Sequence, residues 1–393
     1  MSPAARVQSA IDILDAIIDA AAKGGAPADR IVAQWAKDNR YAGSKDRRAI
    51  RELVYTAIRA CGPRPDSGRA AMLRLAEVDD TIQPLFDGSA HAPSPIGANE
   101  QPAKGGVATS WLVGALDKTG LTTADQFALL DRAPLDIRIN TLRADAGNID
   151  LPETGEETVA PLARRYPAGT RVEDWPAYRE GRIEVQDAGS QLICAALDAQ
   201  PGETVMDLCA GAGGKTLALA AAMQNRGILI AADTDRGRLS RLAPRAERAG
   251  AMIGETLLLD PGQELEKLAD YEGAADAVLI DAPCSGTGTW RRNPEARWRI
   301  TRAEVDRLAA LQARLLDLGA ALVKPGGRIV YAVCSLLEDE GRGQVDTFLA
   351  RHPDLAAQEL PFEPDWRHGA GILLHPSRSD TDGFFFAALQ RSC

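Results

Sequence analysis

Apolar positions at the start of the chain recur at helical spacing. Val7, Ile11, Leu14 and Ile18 are separated by Asp12, Asp15 and Asp19, which predicts an amphipathic helix. A second periodic stretch, from about Asp46 to Ala60, sets Ile50, Leu53, Val54 and Ile58 among Arg47, Arg48 and Arg51. Pro, Gly, Ala and Ser dominate from His91 to Gly106, an expected exposed loop, and helical patterning resumes from Trp111 to about Arg132. The period then changes to two: Leu135, Ile137 and Ile139 alternate with Asp136, Arg138 and Asn140, the pattern of a half-buried strand. Arg182–Gln191 reads as a strand entering a helix. Beyond Ile183 short apolar runs alternate with helices, with strands predicted at Thr204–Leu208, Ile228–Ala232, Thr256–Leu259, Ala277–Ile280 and Arg328–Ala332. The clearest helix is Arg302–Val323, with Leu308, Leu311, Leu315, Leu318 and Leu322 on one face. Two late strands, near Ile372–Leu374 and Phe384–Leu389, complete a seven-stranded, mostly parallel sheet covered by helices on both faces. The expected class is α/β, divided into a helical segment 1–130, a small α/β insert 131–185 and a main domain 186–393.

Composition narrows the function classes. At 393 residues the chain has room for two or three domains, and 45% hydrophobic with 25% charged residues is the composition of a globular protein with a real core. No apolar run approaches the roughly 20 residues of a membrane span. The opening Met1-Ser-Pro-Ala-Ala-Arg6 leads into an acidic amphipathic segment rather than a signal-peptide core, so a cytosolic location is expected. Six scattered cysteines with no C-x-x-C pair, and only four histidines, argue against a disulfide framework and against a metal site. The net charge of −10 disfavours non-specific nucleic-acid binding but leaves room for a local basic surface. Segment 1–60, with ten Lys/Arg against seven Asp/Glu, is mildly basic.

Val205-Met-Asp-Leu-Cys-Ala-Gly-Ala-Gly-Gly-Lys-Thr216 reads as a strand, a glycine-rich turn and a helix start, a geometry that brings backbone N–H groups close to a ligand. Three ligand classes use such a turn. A dinucleotide fingerprint fits Gly211 and Gly213 but meets Thr216 at its third glycine. A P-loop fits Gly214-Lys215-Thr216, with Val278–Asp281 as a companion acidic strand, but meets Cys209 at its first glycine. An S-adenosylmethionine site uses acids at successive strand ends, and Asp207, Asp233 and Asp260 stand there, Asp233 at a spacing suited to ribose hydroxyls.

Two further strand ends carry cysteines, in Asp281-Ala-Pro-Cys284-Ser and Tyr331-Ala-Val-Cys334-Ser335. In an open α/β sheet both border the crevice of the glycine loop. A thiol after an apolar strand is often only a small buried hydrophobe. Two of them beside a methyl donor suit a specific chemistry. Carbon 5 of a pyrimidine becomes nucleophilic once a thiolate adds to carbon 6, an acid near N3 steadies the charge, and a base then removes the carbon 5 proton so that the thiol leaves. Asp281 suits the acidic contact.

Asp207–Thr216, Asp281–Gly288 and Tyr331–Ser335 resemble the signature blocks of the RNA cytosine-5 methyltransferases, and more narrowly the bacterial enzymes that act on 16S ribosomal RNA. Pro134–Arg143, Val185–Ala188, Arg291–Pro294 with Trp298, and Asp382–Phe385 extend the likeness, and Asp46–Tyr55 is similar to the NusB-like helical RNA-binding domain of those enzymes. The resemblance implies a class I, Rossmann-like methyltransferase domain behind a NusB-like domain and a small RNA-binding insert. It implies Cys334 as nucleophile and Cys284 as the thiol that assists product release, although the DNA cytosine-5 enzymes use the cysteine in the position of Cys284. S-adenosyl-L-methionine would be held by Cys209, Ala210, Gly211, Ala212, Gly213, Gly214, Lys215, Asp233, Arg238, Asp260 and Asp281. The expected partner is RNA, 16S rRNA before transfer RNA, with no DNA and no membrane; a non-catalytic RNA-binding protein with a relict methyltransferase fold is the rival reading. The chain departs from its relatives at Gly211-Ala212 in the loop and at Val333, where a Thr commonly precedes the nucleophile.

For RNA contact, the stretch from Gly286 to Arg314 holds seven Arg against Glu295, Glu304 and Asp306, with Trp290 and Trp298 interleaved. Arginine with aromatic residues suits phosphate binding and base stacking. Arg291 and Arg292, together with Arg138 and Asn140 of the insert, are the expected RNA ligands; beyond Arg302 a solvated helix face with ion pairs is the competing reading.

Overall fold

The computed structural model describes residues 1–393, and the chain falls into two units: Met1–Asp131 with Thr289–Thr301, and Arg132–Gly288 with Arg302–Cys393. This differs from three consecutive segments in two ways: Thr289–Thr301 returns to the N-terminal unit, and the expected insert shares one unit with the main domain. No helix is long and apolar enough to cross a membrane.

The N-terminal unit holds α1 (Pro3–Lys23), α2 (Ala28–Asp38), α3 (Ser44–Ala60), α4 (Gly68–Ala76), α5 (Ser110–Lys118) and α6 (Thr123–Ala128). Ser2 caps α1 by accepting from the Ala5 amide, Pro3 stands in the first turn where its missing N–H costs nothing, and Gly24 closes the helix in a left-handed conformation. The apolar positions read from the sequence, Val7, Ile11, Leu14 and Ile18 in α1 and Ile50, Val54 and Ile58 in α3, are buried in one core. The segment 91–106 has no regular structure.

Thr289–Thr301 closes the ends of these helices with charges of matching sign. Arg297 donates to the Ile58 and Cys61 carbonyls at the end of α3, and Arg299 donates to the Ala20 carbonyl in the last turn of α1 and to the Gly25 and Ala26 carbonyls beyond it. Glu295 accepts from the Ala28 amide that begins α2, at 2.9 Å. Cations at helix C-termini and an anion at an N-terminus complement the backbone dipoles as well as the orphan groups.

In the second unit, β1 (Leu135–Ile139), β2 (Ala163–Tyr166) and β3 (Ile183–Val185) form an antiparallel sheet in the order β2-β1-β3. The main sheet contains β4 (Thr204–Asp207), β5 (Ile228–Asp233), β6 (Glu255–Leu258), β7 (Ala275–Asp281), β8 (Val323–Val333), β9 (Leu355–Ala357), β10 (Arg367–His368), β11 (Gly371–Leu374) and β12 (Phe384–Arg391). Its order is β10-β11-β12-β8-β7-β4-β5-β6, with β9 on β12. Strands β4 to β8 are parallel, and β9 to β12 join antiparallel. The sheet therefore has nine strands, not seven: β9 and β10 are too short to leave a periodic signal. Lys324–Gly327 forms a bulge inside β8, where the register moves from Ala275↔Val323 to Ala277↔Arg328.

The chain runs outward from β4 through β5 to β6, then crosses back to β7 and β8. The topological switch lies between β4 and β7, so the carboxyl ends of these two strands flank the crevice where open α/β sheets bind ligands. Val205, Ala277, Leu279, Val330 and Ala332 are buried beneath it.

Candidate active site

β4 delivers Asp207, and the chain turns through Leu208–Gly213 into the helix Gly214–Ala222. Gly211 and Gly213 have left-handed φ of 56° and 87°. A Cβ would meet the Arg238 guanidinium at 2.4 Å from Gly211 and the Leu242 side chain at 2.2 Å from Gly213, so neither position accepts another residue without a shift. Asp233, at the end of β5, accepts from the Gly211 amide and the Asp235 amide, each at 2.7 Å, and so fixes the loop. Asp207 accepts from the Thr216 hydroxyl at 2.7 Å through one oxygen, while its other oxygen is buried without a partner. Burial pushes its carboxyl up to about 7; the Thr216 hydrogen bond opposes this, and the nearby Asp281 and Asp233 charges reinforce it.

Lys215 donates to Asp281, the last residue of β7, at 2.6 Å. Burial works against the Lys215 charge, but Asp281 outweighs it, with Cys194 and Cys334 adding to the effect, and holds the ammonium above its ordinary range. Burial, then Asp207, Asp281 and Asp233, push the Cys209 thiol well up. Asp260 departs from the expected set: it is exposed beyond β6 and pairs with Lys267 at 2.8 Å. Arg238 is exposed above Gly211.

Cys284 and Cys334 are together. Their sulfurs lie 3.3 Å apart, and both side chains are half-buried rather than sealed. Adjacent parallel strands β7 and β8 end at neighbouring positions, Asp281 opposite Ala332, so each strand sends its cysteine loop over the same edge. The S–H···S contact with Cys334, then burial, hold the Cys284 thiol well above its ordinary range. A glycine contact keeps this edge thin: the Gly383 amide donates to the Gly288 carbonyl at 2.8 Å, and a Cβ on Gly288 would lie 2.0 Å from the Gly383 carbonyl oxygen. The Gly288 amide in turn donates to the Cys334 carbonyl at 3.0 Å. Cys61 and Cys194, by contrast, are packing residues whose thiols burial pushes up to about 12.

One residue here left no mark in the sequence pattern. Glu340, fully buried, accepts from the Ser285 amide at 2.8 Å, the Ser335 hydroxyl at 2.6 Å, the Gln312 amide at 3.0 Å and the Ser285 hydroxyl. The signal available was the Cys-Ser pair at both strand ends, whose hydroxyls need a shared acceptor when buried.

The expected RNA ligands are mostly structural. Arg138 is buried and donates to Gln186 at 2.7 Å; Asn140 is buried and donates to the Gly181 and Ala249 carbonyls at 2.7 and 2.8 Å. The polar face of β1 is covered by partners within the same unit, Arg165 on Asp136, Gln186 on Arg138 and the Ala249 carbonyl on Asn140. Arg291, Trp290 and Trp298 are buried, and Arg297 is only 1% exposed. Arg302 pairs with Asp306 and Asp339, Arg307 with Glu304 and Arg314 with Glu264. Of the four expected ligands, Arg292 alone is exposed. Exposed arginines do occur on α3, where Arg48 and Arg51 line a cleft of about 420 Å³ with Arg47, Val32, Tyr55 and Asp29, Arg51 lying 5.7 Å from the Tyr55 ring centre.

Residues 194–390 match the family described as 16S rRNA methyltransferase RsmB/F. The chain belongs to that family. The probable ribosomal RNA small subunit methyltransferase B of Synechocystis sp. is 34% identical over 306 residues, 72% of this chain and 66% of the relative. The ribosomal RNA small subunit methyltransferase B of Salmonella arizonae is 36% identical over 270 residues, 66% of this chain and 60% of the relative. The chain thus matches 60–66% of the length of these relatives. Among solved structures, PH0851 superposes with a TM-score of 0.73 at 26% identity, covering all of both chains. A methyltransferase homolog from Pyrococcus horikoshii superposes with a TM-score of 0.58 at 25% identity, covering 72% of this chain and 99% of that one.

Proposed function

We propose that this RsmB/F member transfers a methyl group from S-adenosylmethionine to carbon 5 of a cytosine in RNA, with 16S ribosomal RNA as substrate, through a covalent bond between Cys334 and carbon 6. The observation that carries this is the 3.3 Å approach of the Cys284 and Cys334 sulfurs at the ends of adjacent parallel strands. The side chains fit the methyl donor. Asp207 keeps one buried oxygen without a partner, and Asp233 and Asp281 add carboxylates suited to ribose hydroxyls and a sulfonium. Cys209–Lys215 and Asp233 would hold the donor, whose contribution is an electrophilic methyl group.

The chain's own residues divide the remaining work. Cys334 supplies the nucleophilic sulfur, with Cys284 3.3 Å away and its thiol held well above the ordinary range by the Cys334 contact and by burial. Cys334 Sγ bonds to carbon 6, carbon 5 takes the methyl, and Asp281 faces the ring's developing charge. Water then takes the carbon 5 proton, the C5–H electron pair re-forms the C5–C6 double bond, and the Cys334 sulfur leaves with the S–C6 pair while the Cys284 thiol donates its hydrogen bond to the departing sulfur. RNA contact is assigned to the exposed Arg292 and to Arg48 and Arg51 of α3.

Incubating the protein with isotopically labelled donor and 16S rRNA, then digesting to nucleosides, tests the reading. Labelled 5-methylcytidine is expected with wild type and none with C334A; label on another base, or full transfer by C334A, refutes it.

A further inference from the structure

Glu340 is a carboxylate with no exposure, and no lysine, arginine or histidine pairs with it. Four hydrogen-bond donors replace a cation. One oxygen accepts from the Ser285 amide and the Gln312 side-chain amide, and the other from the Ser285 and Ser335 hydroxyls. These donors come from both cysteine loops: Ser285 follows Cys284, and Ser335 follows Cys334. Gln312 also donates to the Pro283 carbonyl at 2.8 Å, one residue before Cys284. Glu340 is itself pinned, because the Tyr331 hydroxyl of β8 donates to its backbone carbonyl at 2.7 Å. Thr287 completes the link, with its hydroxyl 3.1 Å from that of Ser335 and accepting from the Leu336 amide at 2.8 Å.

A buried carboxylate without a counter-ion is costly unless every lone pair is used. Here two donors reach each oxygen, and what the arrangement joins is a loop after β7 to a loop after β8. We propose that Glu340 is a positioning residue that clamps the Cys284 loop against the Cys334 loop and holds the two sulfurs in reacting register. This deepens the proposed function and rests on its assignment of two cooperating thiols. The Glu340 charge also disfavours a second negative charge on Cys284, behind the Cys334 contact and burial in its effect. The clamp therefore both aligns the pair and keeps the proton on Cys284.

The test needs neither RNA nor methyl donor. Wild type, E340Q and E340A are oxidised with diamide, which takes one hydrogen from each thiol, and the Cys284–Cys334 disulfide is quantified by peptide mapping. Alkylation of Cys284 by iodoacetamide is followed across pH in the same proteins, with circular dichroism to confirm folding. Cross-linking in E340A is expected to slow by about ten-fold or more, the scale of losing hydrogen bonds to a charged group. E340Q preserves shape and removes charge, so its Cys284 alkylation midpoint moves to lower pH, a change that a purely structural residue would not produce. Wild-type cross-linking in folded E340A, or an unmoved midpoint in folded E340Q, overturns the proposal; if E340A does not fold, E340Q decides through both readouts. A wild-type protein that transfers no methyl group yet loses register in these variants counts against the functional reading and not against the clamp.

Discussion

Asp207 gives a stability that depends on pH in a way that can be worked out in advance. The carboxyl is buried at the end of β4, has one oxygen without a partner, and is pushed up to about 7 from an ordinary value of 3.8. Between those two values the unfolded chain has lost a proton that the folded chain keeps. Stability therefore falls as pH rises through this window and levels off above the folded value. With 1.36 kcal/mol per unit, the Asp207 contribution drops by about 1.4 kcal/mol between pH 6 and pH 8. In D207N one amide oxygen still accepts from Thr216, and the substituted nitrogen carries a cost that does not vary with pH. Urea unfolding of wild type and D207N at pH 6, 7, 8 and 9 isolates the effect by subtraction. Wild type is expected to lose about 1.4 kcal/mol relative to D207N from pH 6 to pH 8 and nothing further to pH 9. Parallel curves across the range, or a wild type that gains stability with pH relative to D207N, would refute the assignment of a protonated Asp207 at neutral pH.

Other outcomes follow from the same side chains. R297A removes a buried guanidinium that serves the Ile58, Cys61 and Pro294 carbonyls; a loss of about 2–4 kcal/mol in unfolding free energy is expected, with the salt dependence of RNA binding unchanged in the folded fraction. R48A and R51A, on the exposed face of α3, should leave the melting temperature unaltered and reduce the slope of log binding constant against log salt by roughly 0.7 for each phosphate left unneutralised, measured by filter binding. C284A is expected to stop at the stage before product release and to build up a protein–RNA species that survives denaturing electrophoresis, whereas C334A forms none.

The main sheet was legible because its signals are local. Short apolar runs located the five parallel strands, and the residues that follow them, Asp207, Asp233, Asp281, Cys284 and Cys334, mark the carboxyl edge whatever the helices between do. The arginines between Gly286 and Arg314 show what a sequence leaves open. Arginine suits a phosphate and a helix C-terminus equally well, since both present oxygen acceptors, and composition alone does not say which oxygens Arg297 and Arg299 meet. Alternation in Leu135–Asn140 reported two chemically different faces but not that both are covered; Asp136 is bonded to Arg165 at 2.7 Å within the second unit. Glu340 was missed because its partners lie 28 to 55 residues away for Gln312 and Ser285, a separation that no local pattern records. The edge strands β9 and β10 are set by pairing to neighbours rather than by their own periodicity.

The thiol assignment is tested most directly by RNA carrying 5-fluorocytosine at the target position, which blocks loss of the carbon 5 substituent and leaves the enzyme attached. After incubation with S-adenosylmethionine, tryptic digestion and mass spectrometry locate the modified peptide. A single cross-linked residue, Cys334, is expected in wild type and in C284A; attachment at Cys284, or recovery of both thiols unmodified, would contradict the assignment.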